Sequence, residues 1–131
     1  MNGNLFVALR DAFPAELDTP AIETVDGPRL VYTWRDLDRA TAMLANLLVS
    51  LDLPENARVA VQTDKSVEAL LLYLAVLRAG YVYLPLNSAY RQNELDYFIG
   101  NAKPSVVVCS AKNFGWVSRV AFQAGTQHVF T

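Results

Sequence analysis

The chain has 131 residues and a formal net charge of −2, and 53% of its residues are hydrophobic. This length suits one small domain or a piece of a larger one, and the charge excludes the strongly basic surface typical of nucleic-acid binding. Cys109 is the only cysteine and His128 the only histidine. These counts exclude an intrachain disulfide and a zinc cluster, and they argue against a histidine-based catalytic triad.

The N-terminus has no basic region followed by an apolar run, so a secretory signal peptide is not expected. The longest apolar run, residues 69–77, is far shorter than the roughly 20 residues that span a bilayer. A single cysteine fits a reducing compartment. We therefore expect a cytoplasmic protein with no membrane contact.

Strands are predicted to alternate with helices along most of the chain. Helices are expected where apolar residues recur at helical spacing: 5–13, 34–51, 66–79, 94–101 and 114–124. Strands are expected where short apolar runs are bounded by turn residues: 21–25, 30–32, 58–63, 81–84, 105–109 and 128–130. The pattern indicates an α/β fold with a mostly parallel sheet, flanking helices and an N-terminal β-hairpin. We interpret residues 1–131 as one unit, with a helix and hairpin at 1–33 and an α/β unit at 34–131.

Local signals mark several ends of these elements. Asp26-Gly27 is a hairpin-turn signal because glycine accepts positive φ without strain. Thr33 stands at a helix N-cap position, with Asp36 three residues on, near the positive end of the helix dipole. Gly80 follows the third helix as its C′ residue.

The helix predicted at 66–79 is apolar on all sides. Glu68 and Arg78, near its two ends, are its only charged residues. Such a helix needs cover on most of its surface. In a chain this short, we expect exposed apolar surface or self-association.

The loop at 85–91 is the best candidate for a functional site. It leaves the carboxyl end of a parallel strand, where open α/β sheets bind ligands. The alternative is a purely structural turn that Pro85 fixes and in which Asn87 bonds its own backbone. Elsewhere the sequence contains neither GxGxxG nor GxxxxGK[ST], so no phosphate-binding loop is predicted.

Other reactive or aromatic side chains are better explained as structural. Cys109 ends an apolar strand, so we interpret it as a core residue. We interpret Asp64-Lys65-Ser66 as the start of a helix. Most of the tyrosines are expected to pack against the core, although they could also stack on a ligand: Tyr73, Tyr81, Tyr83, Tyr90 and Tyr97.

Four segments, taken in order, resemble the N-terminal part of the acyl-adenylate-forming superfamily. They are YTWRDL at 32–37, ARVA at 57–60, LAVLRAG at 74–80 and LPLN at 84–87. Within that superfamily, TDKSVEAL at 63–70 and NELDYFI at 93–99 most resemble bacterial malonyl-CoA synthetases. The resemblance covers essentially the whole chain but only about the first quarter of such an enzyme, whose large N-terminal domain it would help to build.

The resemblance implies a parent enzyme that joins a carboxylate, malonate in this subfamily, to coenzyme A with ATP and Mg²⁺. The family's phosphate loop, its aromatic-Gly-x-Thr-Glu motif, its ribose-binding aspartate and its C-terminal lysine have no counterpart in residues 1–131. We therefore expect an N-terminal fragment that binds no cofactor alone, is inactive alone, and has the remainder of the parent enzyme as its partner.

Some positions depart from the family pattern. Many relatives have glycine where this chain has Asp52, and Gly-Asp where it has Asn56-Ala57. Aspartate and asparagine tolerate the left-handed region, so the turns are expected to survive. At the start of the 94–101 helix, Arg91 replaces a capping threonine or serine, a loss of roughly 0.5–2 kcal/mol unless Gln92 or Asn93 caps instead.

In some relatives a basic residue in the loop after the Pro-x-Asn strand approaches the nucleotide end of coenzyme A. That position aligns near Ala89, so the resemblance makes Arg91 a candidate contact, with Asn87 and Tyr90 as its neighbours. One alternative is a stand-alone α/β protein-interaction module. Another is a small enzyme whose site uses Arg91, Lys65 and Asp64.

Overall fold

The computed structural model describes residues 4–25 and 29–131. The elements within them, in chain order, are α1 Leu5–Asp11, β1 Pro20–Glu23, β2 Val31–Thr33, α2 Trp34–Ser50, β3 Arg58–Gln62, α3 Val67–Ala79, β4 Val82–Pro85, α4 Gln92–Ala102, β5 Val106–Cys109, a 3₁₀ turn Ala111–Asn113, α5 Phe114–Gln123 and β6 His128–Phe130. The α/β expectation is confirmed. The predicted turn at Asp26-Gly27 lies outside the described residues.

Two sheets organise the fold. Strands β1 and β2 pair antiparallel, with an irregularity between Pro20 and Ile22. The main sheet is parallel and has the strand order β4-β3-β5-β6. Because side chains alternate along a strand, β3 and β5 present apolar residues to both faces, as expected for strands buried on each side.

Different helices cover the two faces of the main sheet. On one face, Ala60 and Val107 pack with residues of α4 and α5, among them Leu95 and Val117. On the other face, the core cluster comprises Leu48, Val59, Val61, Val76 and Val106, which brings in α2 and α3. The loop after β4 leads directly into α4, so the packing of α4 helps to position that loop.

The helix caps predicted at α2 and α3 are confirmed. Thr33 Oγ1 accepts from the Asp36 N–H at 3.1 Å, and Asp36 Oδ2 accepts from the Thr33 N–H at 2.9 Å, which completes a capping box. Gly80 ends α3 with φ +86°. Asp52 and Asn56 also adopt positive φ, at 55° and 58°, as expected where relatives carry glycine or Gly-Asp.

Cover of the apolar helix α3 is incomplete. Leu71, Ala75 and Val76 are buried against the sheet and α2, but Leu70 remains 42% exposed. The expected exposed apolar surface is therefore confirmed for the described residues, since the neighbours of α3 leave part of this apolar helix uncovered. Among these residues, no helix is long and apolar enough to cross a membrane.

A polar network joins α1, α2 and α3. Asp38 Oδ1 accepts from Arg10 Nε at 3.1 Å and from Arg78 Nη1 at 3.0 Å. The guanidinium of Arg78 also lies 4.8 Å from the centroid of the Phe6 ring. Partial burial alone would raise the pKa of Asp38, but the hydrogen bonds and charges of Arg78 and Arg10 outweigh burial and lower it.

Asp38→Asn should destabilise the fold at neutral pH by about 1–2 kcal/mol, a value reduced by the solvent exposure of Arg10. Because the folded-state pKa is depressed, the contribution of the carboxylate is present at neutral pH. It is lost as the pH falls from about 4 through the folded-state pKa. Urea unfolding at several pH values measures the difference between the two proteins.

The matched control is Asp18→Asn, which removes an ion pair to Arg35 that is open to solvent on both sides. It should leave the free energy of unfolding unchanged within error. A difference between Asp38→Asn and the parent sequence that persists unchanged at pH 3 would contradict the proposed role of the carboxylate.

Candidate functional site

The loop that follows β4 is anchored to the end of β3. The Leu86 N–H donates to the Val61 carbonyl at 2.8 Å, which extends the parallel pairing by one bond beyond Pro85. Asn87 then begins a tight turn, because its Oδ1 accepts from the Ala89 N–H at 2.9 Å and its carbonyl accepts from the Tyr90 N–H at 3.0 Å. Asn87 thus bonds its own backbone, and the loop lies at the carboxyl edge of the sheet.

A second strand contributes to the same loop through Gln62, the last residue of β3. Its Nε2 donates to the Asn87 carbonyl at 3.0 Å and to the Tyr90 carbonyl at 3.2 Å. The side chain is 1% exposed. The turn is therefore held from inside the core as well as by its own hydrogen bonds.

A cavity of about 350 Å³ opens beside this loop. Its lining comes from the loop, the start of α4 and the segment after β5: Ser88, Ala89, Tyr90, Arg91, Gln92, Asn113 and Trp116. The structure thus brings the predicted residues Tyr90 and Arg91 to one cavity. Asn87 is not among the lining residues and instead shapes the turn.

Two aromatic rings and one guanidinium give the cavity its chemical character. Tyr90 stacks on Phe98 with centroids 5.0 Å apart and planes 14° from parallel, and Trp116 Nε1 donates to Asn113 Oδ1 at 3.4 Å. Arg91 is exposed and takes part in none of the ion pairs among the described residues. A planar ring beside a guanidinium can hold an aromatic base together with a phosphate.

Sequence reasoning missed Asn113 and Trp116. Both follow β5, whose carboxyl end lies at the same edge of the sheet as that of β4. Their position just after a parallel strand is the feature of the sequence that could have predicted them. That prediction also requires the knowledge that β4 and β5 both pair with β3.

The start of α4 is stabilised differently from the expectation. Neither Gln92 nor Asn93 caps the helix; instead Glu94 Oε2 accepts from the Arg91 N–H at 3.1 Å. The Arg91 side chain makes no cap hydrogen bond, since a guanidinium has only donors.

The residues interpreted as structural keep that role. Ser66 Oγ accepts from the Ala69 N–H at 3.1 Å and caps α3, while Asp64 and Lys65 do not line the cavity beside Arg91. Burial raises the pKa of the Cys109 thiol, which is 1% exposed. Among the tyrosines, Tyr73 meets Tyr83 edge-to-face at 5.0 Å.

An apolar groove of about 390 Å³ lies on the other face of the sheet. Leucines of α2 and α3, valines of β5 and the end of β6 form most of its walls, including Leu47, Leu72, Val108 and Phe130. Its apolar walls contrast with the polar cavity beside Arg91.

Comparison with known proteins identifies the family. Residues 10–129 match the family described as AMP-binding enzyme. The chain belongs to this family of adenylate-forming enzymes, and the matched region includes β3, β4, β5, most of β6 and the loop at 85–91.

Individual relatives are much longer than this chain. MatB from Rhodopseudomonas palustris, solved without ligand and with ATP bound, shares 44% identity over 99% of this chain, with a TM-score of 0.88 in both cases. The chain spans 25% of MatB. Chondramide synthase of Chondromyces crocatus is 31% identical over 80% of this chain, which spans 3% of that protein.

Glu94→Ala should loosen the start of α4 and lower the free energy of unfolding by roughly 0.5–1.5 kcal/mol, because the Arg91 N–H loses its acceptor and the helix dipole loses a charge. Denaturant unfolding measures the change. Hydrogen exchange at the Arg91 amide should rise.

Glu68→Ala is the matched control, since Glu68 lies in the first turn of α3 but that helix is capped by Ser66. It should cost less than Glu94→Ala. Equal effects of the two substitutions would refute the specific role of the Glu94 carboxylate.

Proposed function

We propose that this chain is the N-terminal part of an ATP-dependent carboxylate–CoA ligase, and that the ligase is a malonyl-CoA synthetase. The observation that carries the proposal is the 44% identity to MatB over 99% of the chain. The 31% identity to chondramide synthase is lower. We assign the parent enzyme to the cytoplasm.

The proposed reaction has two steps. A malonate oxygen attacks the α-phosphorus of ATP and displaces pyrophosphate, which leaves malonyl-AMP. The sulfur of coenzyme A, after loss of its proton, then attacks the acyl carbon and displaces AMP. Both steps need cationic and N–H groups around the phosphates and the developing oxyanion.

ATP and Mg²⁺ are assigned to the rest of the parent enzyme. The sequence has no glycine-rich phosphate motif. Within the described residues, no three His, Cys, Asp or Glu side chains are grouped as a metal site would require. The described residues therefore offer no such group of metal ligands, and the part in the reaction that we assign to this chain is to bind and orient.

The cavity beside Arg91 is proposed to hold the nucleotide end of coenzyme A. The guanidinium supplies donors for a phosphate, and the rings of Tyr90 and Trp116 supply apolar faces for the adenine. The cavity volume of about 350 Å³ falls in the range of small-molecule sites. Asn87 contributes through the shape of the turn.

The apolar groove is proposed to pack against the remainder of the parent enzyme. MatB is about four times as long as this chain, since the chain spans 25% of it. The groove includes exposed leucines, such as Leu47 at 51%, whose burial would stabilise a larger domain. In the isolated chain, the same surface is expected to promote self-association. In the alternative function, a stand-alone interaction module, it would bind a separate protein.

Malonate-dependent ATP–pyrophosphate exchange tests the proposal. The chain alone should show no exchange. A graft in which it replaces the corresponding quarter of MatB should show exchange within roughly tenfold of MatB itself, a factor that corresponds to about 1.4 kcal/mol of barrier.

Exchange by the chain alone, at a rate proportional to its concentration, would contradict the proposal and place chemistry near the 85–91 loop. A folded graft that adenylates no malonate would instead favour the interaction module.

Arg91→Ala in the active graft should raise the KM for coenzyme A roughly tenfold, as expected for loss of one charged hydrogen bond at a partly open site. The exchange reaction should not change, because it needs no coenzyme A. Steady-state kinetics of both reactions provide the measurement.

Arg119→Ala is the matched control, since Arg119 is exposed on α5 but does not line the cavity. Arg91→Lys should retain part of the affinity. An unchanged KM for coenzyme A in Arg91→Ala would remove Arg91 from the proposed site.

A further inference from the structure

We infer that Gln62 is the positioning residue of the cavity beside Arg91. Its carboxamide holds the turn at both of its ends, Asn87 and Tyr90, and thereby sets where Tyr90 and Arg91 face the cavity. Only the identity of the ligand, coenzyme A, rests on the proposed function. We call the two hydrogen bonds from Gln62 Nε2 to the Asn87 and Tyr90 carbonyls the clamp. The clamp rests on the geometry of β3 and the loop alone.

The burial of Gln62 makes it a rigid anchor. It is 1% exposed and lies at the end of a strand whose preceding residues Ala60 and Val61 are 0% and 3% exposed. By strand alternation it shares a face with Ala60, which packs in the cluster that contains α4 and α5. Its side chain therefore extends on the face from which α4 and the loop before it are held.

Both hydrogens of the amide are used on the loop. Nε2 lies 3.0 Å from the Asn87 carbonyl and 3.2 Å from the Tyr90 carbonyl. The opposite orientation would bring Oε1 against two carbonyl oxygens, so the acceptors fix the amide unambiguously. One side chain thus binds two backbone groups that are 25 and 28 residues away in the sequence.

Polar links between the loop and the sheet are few, although Leu86 belongs to the core cluster and Tyr90 packs against it. The loop's own bonds, from the Ala89 and Tyr90 N–H groups to Asn87, close the turn but do not attach it to the sheet. The Leu86 N–H holds the entry of the loop to Val61. At the Tyr90 end, the hydrogen bond from Gln62 provides a polar link to the sheet, immediately before Arg91.

The Gln62 amide is not arranged for stability alone. Across the described residues, 4–25 and 29–131, no donor reaches its Oε1. A buried acceptor without a donor is destabilising. Methionine, which matches glutamine in length, would remove this unfavourable acceptor together with the two favourable donors. Loop position and global stability should therefore respond differently to Gln62→Met.

The first test needs no substitution. In NMR hydrogen-exchange measurements on the unmodified chain, the Nε2 protons of Gln62 should exchange at least roughly a hundredfold more slowly than those of exposed Gln92, as expected for buried, hydrogen-bonded amides. Exchange as fast as that of Gln92 would overturn the clamp.

The second test compares Gln62→Met with the unmodified chain. Exchange of the Tyr90 backbone N–H should rise roughly tenfold, the change that corresponds to loss of one typical hydrogen bond. Coenzyme A is the ligand used. Its binding is measured in the MatB graft, with and without Gln62→Met, because the chain alone is expected to bind no cofactor, and it is followed by the indole N–H signal of Trp116. Half-saturation should need roughly tenfold more coenzyme A in the variant.

Thr126→Val is the matched control. Thr126 is 5% exposed, and its hydroxyl donates to the Pro104 carbonyl at 3.0 Å, near the amino ends of β5 and β6. The substitution removes a polar anchor that is about as buried as Gln62 but lies at the opposite edge of the sheet. It should lower stability at least as much as Gln62→Met while leaving Tyr90 exchange and the coenzyme A titration unchanged.

The outcomes separate the inference from the proposed function. Unchanged Tyr90 exchange in Gln62→Met overturns the clamp, and faster exchange with unchanged affinity for coenzyme A overturns the positioning role. No response of Trp116 to coenzyme A in the active graft that carries Gln62 refutes the coenzyme A site, while the exchange measurements on the chain still test the two hydrogen bonds of Gln62. If Gln62→Met does not fold, exchange at Gln62 in the unmodified chain decides it.

Discussion

The burial of strand β3 is the constraint on which the rest of this structure depends. It pairs with β4 on one side and β5 on the other, and Val59, Ala60 and Val61 are at most 3% exposed. Each valine buried in this way contributes roughly 1.5–3 kcal/mol. Because successive side chains point to opposite faces, the strand forces one pair of helices onto each side of the sheet. It also determines which buried residue reaches the carboxyl edge, and that residue is Gln62.

The N-terminal helix is attached by a different kind of interaction. Asn4 accepts from the Phe6 N–H and donates to the Leu77 carbonyl, so one side chain joins the start of α1 to the end of α3. Arg78 reaches Asp38 and the Phe6 ring from the same end of α3. These contacts are polar and partly open to solvent, whereas the sheet is held by apolar burial. The attachment of α1 is therefore more sensitive to acid than the sheet that carries the cavity.

Local signals in the sequence predicted most of the elements. Thr33 with Asp36, Gly80, and the left-handed Asp52 and Asn56 each act within a few residues, and each is confirmed. The lack of a side-chain cap at Arg91 was predicted from the sequence and is confirmed, whereas the role of Glu94, which accepts from the Arg91 N–H, was not predicted. The site was predicted only on its loop side. Trp116 and Gln62 belong to it through the pairing of strands, which no local pattern specifies.

In the proposed function, the described residues supply binding groups and supports. The one thiol, Cys109, is buried, and burial raises its pKa, so at neutral pH it is an even poorer nucleophile than a free cysteine. The cavity beside Arg91 instead has an exposed guanidinium and aromatic side chains in its lining, next to a turn that is itself bonded to the core. In the proposed function, a turn that is held in place before binding lowers the cost of ordering a flexible ligand. Two parts of the sheet then have different proposed roles. The groove on one face offers apolar area for packing, and the cavity at the carboxyl edge orients the ligand. In the proposed function the physical contribution of this chain is thus geometric, and the group inferred to transmit that geometry from the core to the cavity is the carboxamide of Gln62.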